Sequence, residues 1–174
     1  MARLASLDDL LIQSLQDIYY GEGQSLEALS RMVKIVTHHD LKRALDDHRQ
    51  QTQAQVRRLD QAFVLLGLAA RGRKCEGMAG ALEEAEQAME ADAHASVKDI
   101  ALIGAAQKIE HYEIAAYGCV CTYAEMLGYD QVHELLGQNL DEEETSDQRL
   151  TALAESVIAR STGGQTLSPV EGGT

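Results

Sequence analysis

Five carboxylates stand where amphipathic helices should be apolar. Glu22, Glu110, Glu113 and Glu143 interrupt the hydrophobic stripes of three segments, and Asp147 follows Glu143 by one helical turn. An unpaired carboxylate aimed into a core is very costly, so such groups pair, take up a proton or hold a metal. Glu110 and Glu113 are three residues apart, and Glu143 and Asp147 four, so each pair shares a helical face. Acids converging from several helices favour a cation. Oxygen ligands with little nitrogen suit iron or manganese, and an all-oxygen set also accepts calcium or magnesium. The competing possibility is a structural polar layer in which Gln51, Thr52, Gln55, Tyr19 and Tyr117 supply the hydrogen bonds. Amides and hydroxyls do not neutralise several negative charges, which weighs against that alternative.

The other metal-ligand types add little. Among the histidines, His48 lies on a helical stripe and is retained as a candidate. His111 points about 100° away from Glu110, and His38, His39, His94 and His133 fall near helix ends. Cys119 and Cys121 are two apart and point about 200° from each other, so an intact helix cannot aim both at one ion. With Cys75 they read as reduced packing thiols of a cytoplasmic protein.

The elements that must position these residues are long helices. Leu11, Leu15, Ile18, Leu26, Leu29 and Val33 predict a first helix over 6–36, with Ser6 and Asp9 at its start. A second, over 40–66, carries a midsection from His48 to Gln55 that is polar on every face, and Gly67 marks its end. A long connection with a short acidic helix over 79–92 leads to a third long helix, 96–127. Gly128 makes a tight turn into a fourth, 131–160. Two antiparallel pairs joined by one long crossover form the ferritin-like four-helix bundle, an all-α fold. Residues 1–160 form this bundle and 161–174 read as a flexible polar tail. Gly21 and Gly23 flank Glu22 inside the first helix, where they allow close helix approach or a local irregularity.

Composition limits the function. The net charge of −13 argues against nucleic acid and anionic membrane surfaces as partners. No stretch reaches the length of a membrane span, and the first residues acquire acid before an apolar signal-like stretch forms. There is no phosphate-binding glycine loop, nucleophile elbow or Cys/His zinc pattern, and no organic cofactor is called for.

The run Ala105-Ala-Gln-Lys-Ile-Glu-His-Tyr-Glu-Ile-Ala-Ala-Tyr-Gly118 is the most specific signature. Asp17-Ile-Tyr-Tyr-Gly-Glu22, Lys74-Cys75-Glu76-Gly77-Met78, Ala124-Glu-Met-Leu-Gly128 and Leu140-Asp-Glu-Glu-Glu-Thr-Ser-Asp147 accompany it in order. Over residues 6–158 the chain resembles the YciF/YciE-type ferritin-like stress proteins of bacteria. The resemblance implies a four-helix ferritin-like domain that packs as a homodimer. It also implies a two-metal carboxylate site similar to that of rubrerythrins, with Glu22, Glu110, Glu113 and Glu143 as ligands and Asp147 in place of a second helix-four ligand. One departure stands out. The family usually reads His-x-Glu-Glu-Thr where this chain has His48-Arg-Gln-Gln-Thr52, so Gln51 stands where a bridging acid is expected. A glutamine offers one neutral oxygen, which favours a weaker or mononuclear site.

The expected function is therefore a stress-associated protein holding one or two iron or manganese ions and handling peroxide, oxygen or iron; Tyr19, Tyr112 or Tyr117 are redox candidates, against the favoured alternative that they are core tyrosines with bonded hydroxyls. The alternative is a non-catalytic scaffold or partner-binding bundle with a degraded metal site. Mineral storage would need a cage, for which no interface is legible. Leu10, Ile12, Met32 and Ile35 lie beyond the main stripe and are expected to need covering in a dimer.

Overall fold

The computed structural model describes residues 4–161, with side chains through residue 159; the expected tail from 162 onward lies outside the described residues. Five helices follow one another: α1 Leu7–Ile35, α2 His39–Leu65, α3 Glu76–Glu90, α4 Ala95–Met126 and α5 Asp130–Ser161. Each sequence-predicted long helix is present to within a residue. The short helix begins three residues earlier than its apolar pattern suggested, because Cys75, a residue with no capping signature, takes the extended N-cap conformation.

Local chemistry sets the boundaries. Ser6 and Asp9 form a reciprocal capping box at the start of α1: the Asp9 N–H donates to Ser6 Oγ at 3.1 Å and the Ser6 N–H to Asp9 Oδ2 at 3.1 Å. Gly67 and Gly128, at φ 71° and 73°, close α2 and α4 in the left-handed conformation. The next N–H in each case donates back into the helix, Leu68 to Phe63 O and Tyr129 to Ala124 O, both at 2.9 Å.

α1 and α2 form one hairpin, α4 and α5 the other. α1 packs on α2 and α4, and α5 packs on α2 and α4, so α1 lies diagonal to α5 and α2 diagonal to α4. This is the ferritin-like bundle expected from the loop lengths. The crossover helix α3 lies against α1 and α4. Glycines let it approach. A Cβ at Gly21 would sit 3.2 Å from Met78 Cε, and one at Gly77 would sit 2.7 Å from Tyr112 Cε2. Gly21 therefore serves close packing, while Gly23 faces open space, and α1 runs unbroken through both.

Asp99, buried near the start of α4, ties the hairpins together. It accepts from Thr37 N at 3.0 Å, Thr37 Oγ1 at 2.7 Å and His38 N at 2.8 Å, all in the α1–α2 turn. Of the residues expected to need a dimer partner, Met32 is fully buried in the core, Ile35 packs partly against it, and Leu10 and Ile12 are half-buried. The bundle itself covers much of that face. No helix among the described residues is long and apolar enough to cross a membrane.

The core is two apolar clusters. One contains Leu29, Met32, Leu41, Leu45, Met78, Leu102, Ile103, Ile109 and Leu150. The other contains Leu11, Leu15, Ile18, Leu59, Phe63, Tyr117, Val120 and Leu136. Along every long helix the residues between these clusters are buried and polar: Glu22 and Ser25, His48, Thr52 and Gln55, Glu110 and Glu113, Asn139, Glu143 and Ser146.

Candidate metal centre

This polar layer crosses the bundle at mid-height. The helical stripe fixes it there, because at 3.6 residues per turn the same face that presents Ile18 and Leu29 must present Glu22 and Ser25. On α2 the polar run turns inward at His48, Thr52 and Gln55, spaced four and three apart. Thr52 Oγ1 donates to the His48 carbonyl at 3.0 Å. On α4 and α5 the inward positions are Glu110, Glu113, Asn139, Glu143 and Ser146.

The tightest grouping is His48, Glu110 and Glu143. One ligand atom from each lies within 4.8 Å of the other two. His48 Nε2 is 2.9 Å from Glu110 Oε1 and 3.8 Å from Glu143 Oε2. Gln55 Nε2 donates to Glu143 Oε1. Glu22 accepts from the Tyr117 hydroxyl, which in turn accepts from Asn139 Nδ2 at 2.9 Å, and Asn139 Oδ1 accepts from Arg58. Glu113 accepts from Ser25 Oγ at 2.8 Å.

These bonds do not saturate the acids. Glu22 Oε2, Glu110 Oε2 and Glu143 Oε2 are buried with no hydrogen-bond donor, and Gln55 Oε1 and His48 Nδ1 are likewise unpartnered. The electrostatics follow from that shortage. Burial pushes the Glu110 carboxyl up to about 8, with the Glu113 charge adding to it while bonds from Glu143 and Ser146 oppose. Burial pushes Glu113 up to about 7, against its bond from Ser25 and the neighbouring His48. Glu22 lies well above the ordinary carboxylate range, first from burial and then from the charges of Glu113 and Glu143. Glu143 does too, from burial and then its hydrogen bond with Glu110. Protonated, Glu110 and Glu143 can share a hydrogen. Burial and the Glu22 charge also hold the Tyr117 phenol well above its usual value.

The sequence-predicted residues divide clearly. Glu22, Glu110, Glu113 and Glu143 are all in the layer, and each is raised by burial. Asp147 is half-buried at the rim, where Gln107 Nε2 donates to it at 3.3 Å and His111 Nδ1 lies 3.2 Å away. Gln51 is half-buried and lines a small pocket beside His48. Tyr117 reaches the layer. Tyr19 turns its hydroxyl to Asp60 at 3.0 Å, and Tyr112 faces Cys75 Sγ at 2.6 Å. Ser25, Asn139 and Ser146 escaped sequence reading. Their signal was positional: each lies three or four residues from a core glutamate.

The donor set fits a small divalent or trivalent cation. Bonds of roughly 2 to 2.5 Å allow two ligands of one ion to lie up to about 5 Å apart, and the His48, Glu110 and Glu143 atoms meet that limit.

Comparison with known proteins agrees with this architecture. Residues 6–162 match the family described as a domain of unknown function, DUF892. The chain is 39% identical over 152 residues to protein YciF of Escherichia coli (strain K12), an alignment covering 87% of this chain and 92% of that protein. The chain belongs to the YciF family. The crystal structure of the E. coli stress protein YciF superposes with a TM-score of 0.87 at 37% identity, covering 90% of this chain and 99% of that one. YcfI of Rhodopseudomonas palustris, for which a structural role has been suggested, superposes with a TM-score of 0.82 at 40% identity over 87% of this chain and 97% of that one. A Xanthomonas campestris protein at 22% identity, with a TM-score of 0.71 over 90% of this chain and 96% of that one, shares the fold.

Proposed function

We propose that this YciF-family protein is a stress-associated metal protein whose polar layer holds iron or manganese and handles peroxide, oxygen or iron itself. One observation carries the reading: four buried glutamates converge with His48, and in the ionised layer three of their oxygens have no donor. His48, Glu110 and Glu143 would hold the first ion. Glu22 and Glu113 stand next to them for a second, and Asp147 and Gln51 lie at the margin. A bound ion would supply Lewis acidity and redox chemistry. The chain's own part is to orient and insulate. Tyr117 and Asn139 fix the rotamer of Glu22, Gln55 fixes that of Glu143, and the two apolar clusters exclude bulk water.

A second reading has its own support. Each glutamate already has one polar neighbour, and glutamine replaces acid at positions 50 and 51, as expected of a scaffold with a degraded site. Metal titration of chelator-stripped protein separates the two. The metal reading expects tight uptake of Fe(II) or Mn(II) that is lost in His48→Ala and Glu110→Gln. Gln51→Glu should then raise the stoichiometry toward two ions per chain. No uptake by the wild-type chain supports the scaffold. We also propose a homodimer, which light scattering tests against the 19.0 kDa chain mass.

A further inference from the structure

The polar layer is sealed above and below by the two apolar clusters, so a solute must reach it from the side. On the α1–α4 flank the space beside His48 and Glu110 is only about 10 Å³ and is walled mainly by apolar residues such as Ala28, Met32 and Ile109. On the α2–α5 flank a cavity of about 50 Å³ opens, enough for a few water-sized atoms. Its floor includes the buried His48 and Ser146, and His48 Nε2 lies 2.9 Å from Glu110 Oε1. Its rim carries Gln51, Thr145 and Arg149. Arg149 is paired with Asp47 at 2.9 Å, but both are substantially exposed. Such a pair is weak, which leaves the guanidinium able to swing toward a ligand.

We propose that this α2–α5 pocket is the ligand-binding access site of the centre. It admits neutral or singly anionic molecules of two or three heavy atoms, the class of hydrogen peroxide and azide. Size comes from the cavity. Charge selection comes from the rim, where the Gln51 amide and the Arg149 guanidinium, once released from its exposed pair with Asp47, can donate hydrogen bonds to an anion. The floor imposes a condition: with no metal present it offers an anion nothing to ligate, so anion binding requires the metal. The inference rests on the metal-centre reading and extends it to the ligand.

Azide binding to Co(II)-loaded protein is the test, read by visible absorption in stopped flow after Co(II) content is measured. Azide should perturb the Co(II) spectrum and should not bind metal-free protein. Thr145→Trp should leave Co(II) content unchanged and slow azide association on the order of tenfold by blocking the rim. Arg149→Trp gives the same block if Thr145→Trp does not fold. Thr122→Trp, an exposed α4 position whose hydroxyl donates to its own helix as Thr145 does, should bind azide like wild type. Arg149→Glu should weaken azide several-fold and reduce or reverse the loss of affinity with added salt. Unchanged rates in both rim variants, or no azide binding by protein that has taken up Co(II), overturn the access site and leave the metal centre standing. Failure of Co(II) uptake overturns both.

Discussion

Raising the pH of the metal-free protein should unfold it. Glu110 is held at about 8 instead of its ordinary 4.5 by burial. Between those values the folded chain keeps a proton that the unfolded chain has released, so stability is fully present below about 4.5 and falls as pH rises through about 8. At 1.36 kcal/mol per unit, the shift of Glu110 alone corresponds to about 5 kcal/mol. Glu113, raised to about 7, would account for about 3 kcal/mol by itself. The two share one layer with Glu22 and Glu143, so the values do not add, and about 5 kcal/mol sets the scale. A domain of this size has roughly 5 to 15 kcal/mol in total, which places metal-free protein near its unfolding threshold above about pH 8. Bound metal reverses the trend, because the deprotonated carboxylates become ligands and binding to the native state adds stability by mass action. Urea unfolding followed by circular dichroism, with and without Mn(II), at about pH 5, 7 and 9 measures this. A metal-free protein equally stable at all three values would show that the glutamates do not hold their protons in the fold, and the reasoning from their burial would fail.

Asp99→Ala should cost about 3 to 5 kcal/mol in urea unfolding, since three donors of the α1–α2 turn lose their shared carboxylate; a loss under about 1 kcal/mol would mean water replaces it. Gly23→Ala, facing open space in mid-helix, should stabilise by up to about 1 kcal/mol, while Gly77→Ala should destabilise by driving a methyl group into the Tyr112 ring. Equal melting temperatures for the two variants would contradict the close approach of α3. Asn139→Leu should lower metal affinity by about 10- to 100-fold by untying Tyr117 from Glu22, and metal titration that matches wild type would remove Asn139 from the site. Maleimide should label exposed Cys119 quickly and leave Cys121 slow, since burial pushes its thiol up to about 11; mass spectrometry reads the order.

Much of the fold was legible because helices advertise themselves through period. Leu11, Leu15 and Ile18, or Leu41 and Leu45, place a face within a residue, and Gly67 and Gly128 mark stops that backbone geometry demands. Glu22, Glu110, Glu113 and Glu143 stood out because a charge on an apolar stripe breaks a strong pattern. The midsection of α2 offered no such contrast. Continuing the apolar stripe through this run places His48, Gln51, Thr52 and Gln55 on it; His48, Thr52 and Gln55 do face inward, while Gln51 lies on the flank. Asp99 was invisible for another reason. Its three partners lie in the distant turn at Thr37 and His38, and an aspartate near a helix start ordinarily reads as a local feature.

The polar layer is divided between the two hairpins. Glu22, Ser25, His48 and Gln55 come from the first, Glu110, Glu113, Asn139 and Glu143 from the second, and neither half has a full ligand set. Each hairpin joins helices adjacent in sequence, whereas bringing the halves together requires closing the 66–94 crossover. An ion held at the proposed centre would therefore be captured only after docking. In the proposed centre it would act as a late clasp between the two arms rather than as a template for either, and its occupancy would report that assembly of the chain had been completed.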